Sequence, residues 1–116
     1  MVELCNFYGK ILYKINGSRI TDFYGKFLYT IDGNQLKDWP SGKVVLKYDY
    51  GIIKDFYEKI LYRFDGHTFK DFYNKILYYY ENGTIYNFSR QIQYIFRGYP
   101  SEMEIAFLIA TFVINS

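Results

Sequence analysis

Apolar and polar residues follow one short pattern along most of this chain, repeated with a period of 16. NFYGKILYKING begins at Asn6, DFYGKFLYTIDG at Asp22 and DFYEKILYRFDG at Asp55. DFYNKILYYYENG begins at Asp71, and the divergent NFSRQIQYIFRG at Asn87. The remaining unit, DWPSGKVVLKYDYG from Asp38, is one residue longer, with Trp39-Pro40-Ser41-Gly42 at its turn. A self-similar period of this size marks one supersecondary unit per repeat. Each unit holds two strand-like runs and two turn signals. KILYRF is rich in Ile, Leu and aromatics and reads as a strand. Asn16-Gly17, Asp32-Gly33, Asp65-Gly66 and Asn82-Gly83 follow such runs and tolerate the positive φ of a tight hairpin turn. The returning run, such as HTFKDF, ends at Tyr-Gly, Tyr-Glu or Tyr-Asn, a weaker second turn. Val2 to Phe7 matches the returning run. Six hairpins therefore predict twelve short antiparallel strands in a meander.

Strands alternate their side chains between two faces. In the fourth unit this puts Ile60, Tyr62, Phe64 and Phe69 on the candidate core face. Leu61, Arg63, Lys70 and Phe72 go to the other. Tyr13, Tyr29, Tyr62, Tyr78 and Tyr94 recur at one position of the inward face.

The pattern stops after Arg97-Gly98. PSEMEIAFLIATFVINS then reads as a helix over 101–114, with Ser101 and Glu104 forming a capping box behind Pro100. From Ile105 onward it is apolar nearly all round, as a fully buried helix is. Geometry gives it a place. Twelve strands about 4.8 Å apart and tilted by about 40° close into a barrel about 24 Å across. Side chains alone fill a barrel of about eight strands, so this one needs a plug. A helix about 10–12 Å wide fits the hole. The expected fold is mainly β and a single domain over 1–116, with hairpin repeats over 2–97 closed around the C-terminal helix. The helix should enter at the Asp-Gly rim and run toward the opposite one.

Hairpin units surrounding EIAFLIATFVINS resemble the tubby-like fold. Tubby C-terminal domains, phospholipid scramblases and LURP-one-related proteins share that fold, a twelve-stranded barrel around a C-terminal apolar helix. The chain is similar to a miniature of the bacterial LURP-one-like type. The resemblance implies a non-catalytic binding domain, since tubby domains bind phosphoinositide headgroups through basic residues. No headgroup motif of the family is matched, so no residue role carries over. The same repeats stacked openly would resemble the aromatic repeats of choline-binding wall proteins, although Trp39 is the only Trp here.

Composition narrows the partners. Half the residues are apolar and 23% are aromatic, far too many for a disordered chain. The net charge of +2, with both signs interleaved, points to no specific nucleic acid. A lone Cys5 suits a reducing, cytoplasmic setting. The N-terminus lacks a secretory pattern, and the run from Ile105 to Ile114 is too short to span a bilayer.

Candidate chemistry is sparse. His67 sits in a turn, nothing orients it toward Cys5, and no metal-ligand spacing or phosphate loop occurs. Neither an enzyme nor a cofactor is expected. Asp22, Asp38, Asp55 and Asp71 each lie near a Lys of the same turn, which suggests cross-strand ion pairs. The functional alternative is a basic rim of Lys10, Lys26, Lys43, Lys59, Lys75 and Arg90. Such a rim would contact anionic lipid headgroups at a membrane surface, or a protein partner. Tyr8, Tyr24, Tyr57 and Tyr73 stand at the same turns, free for a ligand. Two further expectations remain open. An open aromatic module would bind carbohydrate or a cell-surface polymer. A purely structural protein would self-associate through an unclosed strand edge.

Overall fold

The computed structural model describes residues 1–114, so positions 115 and 116 of the helical stretch lie outside the described residues. Twelve strands form one closed antiparallel barrel in chain order. They are β1 (Val2–Asn6), β2 (Ile11–Asn16), β3 (Arg19–Asp22), β4 (Phe27–Asp32), β5 (Gln35–Asp38) and β6 (Val44–Asp49). The second half comprises β7 (Ile52–Lys54), β8 (Ile60–Phe64), β9 (Thr68–Asp71), β10 (Ile76–Glu81), β11 (Thr84–Asn87) and β12 (Ile92–Arg97). The ring closes where β1 pairs with β12, Leu4 opposite Phe96 and Cys5 opposite Ile95. This closure excludes the open stack. It also leaves no free strand edge among the described residues, which removes the edge-pairing route to self-association.

Every repeat carries a β-bulge at the same place. Leu4 pairs with Tyr13 but Cys5 with Ile11, so Leu12 has no residue opposite it. Leu28, Val45, Leu61, Leu77 and Gln93 are the extra residues of the other five units. Each bulge bends its strand and adds twist, which curls a sheet of short strands into a ring. The bulge also corrects the face assignment in the fourth unit. Leu61 packs against the core, whereas Ile60 pairs with Lys54 on the outer side. Tyr62, Phe64 and Phe69 face inward as expected, and so do Tyr13, Tyr29, Tyr78 and Tyr94.

The tight turns at the helix-entry rim differ in register from the dipeptide reading. Asn16 and Asp32 are paired strand residues, and Gly17-Ser18 and Gly33-Asn34 make the loops, with positive φ on Gly alone. That is the pattern of a type II′ turn. Asn82-Gly83 and Tyr50-Gly51 have positive φ at both positions, the type I′ pattern. Gly51 is needed for a second reason: a Cβ there would stand 2.6 Å from the carbonyl oxygen of Phe64 on the next hairpin.

Inside the ring lies α1 (Glu102–Leu108), continued by a π-helical turn over Ile109–Val113. The capping box is present. Ser101 Oγ accepts from the Glu104 N–H at 3.1 Å, and Glu104 Oε1 accepts from the Ser101 N–H at 2.8 Å. Ile105, Phe107, Leu108, Ile109 and Val113 are buried against Leu4, Ile20, Leu36, Ile53, Phe69 and Ile85 from around the wall. The direction of travel is set by ring contacts. Phe107 meets Tyr48 edge-on at 6.3 Å, near the entry rim, while Phe112 stacks on Tyr13 at 3.7 Å, deeper in. The Tyr78 hydroxyl donates to the Val113 carbonyl at 3.4 Å. The helix therefore enters at the rim of tight turns and ends at the level of the Lys-bearing turns.

Removing the central helical ring should be costly. Phe107→Ala is expected to destabilise the fold by about 3–5 kcal/mol in urea unfolding, the usual cost of emptying a core aromatic site. Tyr50→Ala, at a position 98% exposed, should stay within about 0.5 kcal/mol. Equal small losses would contradict the packing described.

Candidate functional site: an aromatic and basic rim

The third turn at the far rim is one residue longer, and the other five share one backbone design. Asp22 shows it: its N–H donates to the Lys26 carbonyl at 3.0 Å and its own carbonyl accepts from Gly25 N–H at 3.1 Å. This is a three-residue hairpin loop whose last residue is left-handed. Gly9 and Gly25 fill that position at no steric cost, whereas Glu58, Asn74 and Arg90 occupy it with φ of 66–70°.

The repeated acidic residue holds this loop. Asp22 Oδ1 accepts from the N–H groups of Tyr24 and Lys26, both at 2.9 Å. Asp55 and Asp71 do the same in their turns, and Asn6 does so in the first. In the third turn Asp38 instead binds the Ser41 hydroxyl at 3.1 Å, and that hydroxyl accepts from Lys43 N–H. The expected cross-strand Asp–Lys pairs are therefore absent: the carboxylates take backbone N–H groups, not ammonium groups. Lys10, Lys26, Lys43, Lys59 and Lys75 are exposed and make no ion pair among the described residues. Arg90 stands apart. Gln91 occupies the Lys position of its unit, and the Arg90 guanidinium lies 3.8 Å from the Tyr79 ring centre on the outer wall.

Between Asp and Lys, each turn tip carries aromatic side chains. Phe7–Tyr8, Phe23–Tyr24, Phe56–Tyr57 and Phe72–Tyr73 form edge-to-face pairs with centroids 5.1 to 5.3 Å apart. Tyr8, Tyr24, Tyr57 and Tyr73 are 83–88% exposed, and their Phe partners about half exposed. Trp39 and Phe88 are exposed at the other two tips. The Phe members escaped the sequence reading, although their fixed place before the turn Tyr was a usable signal. The rim is therefore a crown of apolar rings alternating with unpaired cations. A cavity of ≈ 200 Å³ opens between its first two turns, lined by Lys10, Tyr13, Phe23 and Tyr24. The helix end and inward tyrosines close the mouth beneath. Burial pushes the phenols of Tyr13, Tyr29 and Tyr78 above their usual range, so they stay neutral there.

The other candidates are not brought together. Cys5 is buried on β1, and burial raises its thiol pKa. His67 is exposed in the β8–β9 loop, where its N–H donates to Asp65 Oδ1 at 2.8 Å. No group of His, Cys, Asp and Glu among the described residues is arranged to hold a metal.

No family model, curated protein or solved structure matches the chain.

Asx bonding predicts how the turns respond to substitution. Asp55→Ala should lower stability by about 0.5–2 kcal/mol, as loss of a helix N-cap acceptor does. Asp55→Asn should cost far less, because Asn6 already serves the first turn in that role. Equal losses in thermal unfolding would restore a charge-pairing role for Asp55.

Proposed function

We propose that the rim is a docking face for anionic lipid headgroups at a membrane surface and that the protein is a non-catalytic binding domain. The observation that carries this reading is the shared placement of exposed rings on all six turns of one end, with an unpaired Lys beside them on five. Aromatic rings with a polar edge favour the headgroup layer. Basic residues near an anionic surface contribute about 1 kcal/mol each. Asx bonding leaves the ammonium groups free, since the nearby carboxylates are engaged with the backbone. The particle measures 37 × 33 × 22 Å, so short strands around a wide ring make a broad face. The Asx hydrogen bonds hold the turn backbone in place, which lowers the ordering cost of binding.

On this reading the protein lies on the membrane and does not cross it. No helix among the described residues is long and apolar enough to span a bilayer. The strands hold three to six residues, against about 9–11 for a transmembrane β-strand. The anionic cytoplasmic leaflet is the surface that fits a cytoplasmic protein with this rim. Phosphoinositide recognition by tubby domains is the same class of binding.

Vesicle flotation tests the proposal. Binding to phosphatidylserine vesicles is expected, with little binding to phosphatidylcholine and a decline as salt rises. Lys59→Glu with Lys75→Glu should weaken it about tenfold or more, at about 1 kcal/mol per charge removed and further repulsion from each charge added. Tyr57→Ser with Tyr73→Ser should weaken it without changing the salt dependence. Binding indifferent to lipid charge and to both double variants would overturn the reading.

A further inference from the structure

The outer wall carries a motif in which three positions meet, and the 16-residue period repeats it. Lys47 stands directly opposite Lys54 on β6 and β7. Like charges placed so repel one another. Glu58, the left-handed residue of the next turn, relieves this together with Asp49: the Glu58 carboxylate takes Lys47 through Oε1 and Lys54 through Oε2 at 3.6 Å, and Asp49 Oδ2 lies 3.8 Å from Lys54 Nζ. Lys47 holds the Glu58 carboxyl below its usual range, and Lys54 adds to this. Two periods on, the same positions are Tyr79, Tyr86 and Arg90, and the Arg90 guanidinium covers the Tyr79 ring. In the first unit the turn side chain bridges the cross-strand pair, and in the second it covers one member of it.

The unit between them breaks this rule. Its pair is Arg63 opposite Lys70 on β8 and β9, again two cations, but its turn residue is Asn74. No carboxylate forms an ion pair with Arg63 or Lys70 among the described residues. Asp65 lines the same face and its charge partly offsets that of Lys70, but its oxygens accept from the N–H groups of His67 and Thr68 and from the Thr68 hydroxyl, and it leaves Arg63 unpaired. Arg63, Lys70 and Asn74 line one cavity of ≈ 380 Å³, with Thr68 and the exposed ring of Tyr50 at its edge.

We propose that this cavity is a binding site for a small soluble phosphomonoester, whose phosphate takes the place that the Glu58 carboxylate holds one repeat earlier. A phosphate offers three oxygens and up to two negative charges, so it can engage Arg63 and Lys70 together even with Asp65 offsetting part of the Lys70 charge, whereas a simple carboxylate offers two oxygens and one charge. The Arg63 fork suits two phosphate oxygens, Lys70 supplies a point charge, and the Asn74 amide adds a neutral donor. The cavity is larger than a phosphate alone, leaving room for a compact organic group beside Tyr50. This site lies on the wall and does not depend on the lipid reading of the rim.

The repeat itself supplies the test. Asn74→Glu installs the carboxylate of Glu58 at its equivalent position, where Glu58 already tolerates the same backbone angle. Titration of the full chain with glycerol phosphate, followed by NMR shifts of the Arg63, Lys70 and Asn74 amides, should saturate in the native protein. Acetate should bind more weakly. Asn74→Glu should raise the melting temperature without ligand and weaken glycerol phosphate binding about tenfold or more, the loss expected when charge-assisted hydrogen bonds are displaced. Arg63→Gln with Lys70→Gln should also abolish saturation, while vesicle binding through the rim is retained. A phosphoserine peptide that binds far better than glycerol phosphate would overturn the small-molecule assignment. Absence of saturable shifts, or equal shifts in Asn74→Glu, would overturn the site.

Discussion

A twelve-stranded ring is too wide for its own side chains to fill, and the rest of this structure depends on how that space is occupied. The helix from Glu102 supplies Phe107, Leu108, Ile109 and Val113, each nearly or wholly removed from solvent. The wall answers with one large apolar residue at the equivalent position of every second strand, Leu4, Ile20, Leu36, Ile53, Phe69 and Ile85. Neither part can be stable alone. The helix has no polar side to show to water, and the strands, at three to six residues, bury too little without it. The six regular bulges serve the same end, since they give short strands the curvature that closure demands.

With the interior committed to packing, function is left to the rims and the outer wall. There the repeat acts as a frame that holds a few positions constant in geometry while their chemistry changes. Asp or Asn binds the turn backbone, rings sit on the tip, and Lys follows free of ion pairs. The left-handed turn position varies most. It is Gly9 or Gly25 in the first two turns, and Glu58 over two lysines. It is Arg90 over a tyrosine, and Asn74 beside Arg63 and Lys70. A ring of equivalent turns thus presents a common surface at its end and different sites around its wall.

Much of this was legible in the residues because the hydrophobic period, the Gly-bearing turns and the apolar segment from Ile105 agree on one topology. The capping box at Ser101 and Glu104 was equally plain. The bulges were hidden for a physical reason. In Ile60-Leu61-Tyr62 all three residues are apolar, so skipping one leaves no mark on the alternation, and Ile60 and Leu61 exchange faces. The role of Asp22, Asp55 and Asp71 was ambiguous because the Lys backbone N–H and the Lys ammonium belong to the same residue at the same spacing. Only the hydrogen bonds distinguish them. The Glu58–Asn74–Arg90 series was present in the period all along, but its meaning needed the cross-strand register that places each residue beside its pair.

Everything above rests on the helix lying within the closed ring, which thiol protection can test. In a Cys5→Ala background, a cysteine introduced by Ala110→Cys would stand at a helical position that is 8% exposed. A maleimide reagent should label it only at the rate of global unfolding, with denaturant removing the protection in one cooperative step. Rapid labelling in a chain that still shows native circular dichroism would place the helix outside the barrel and contradict the structure described.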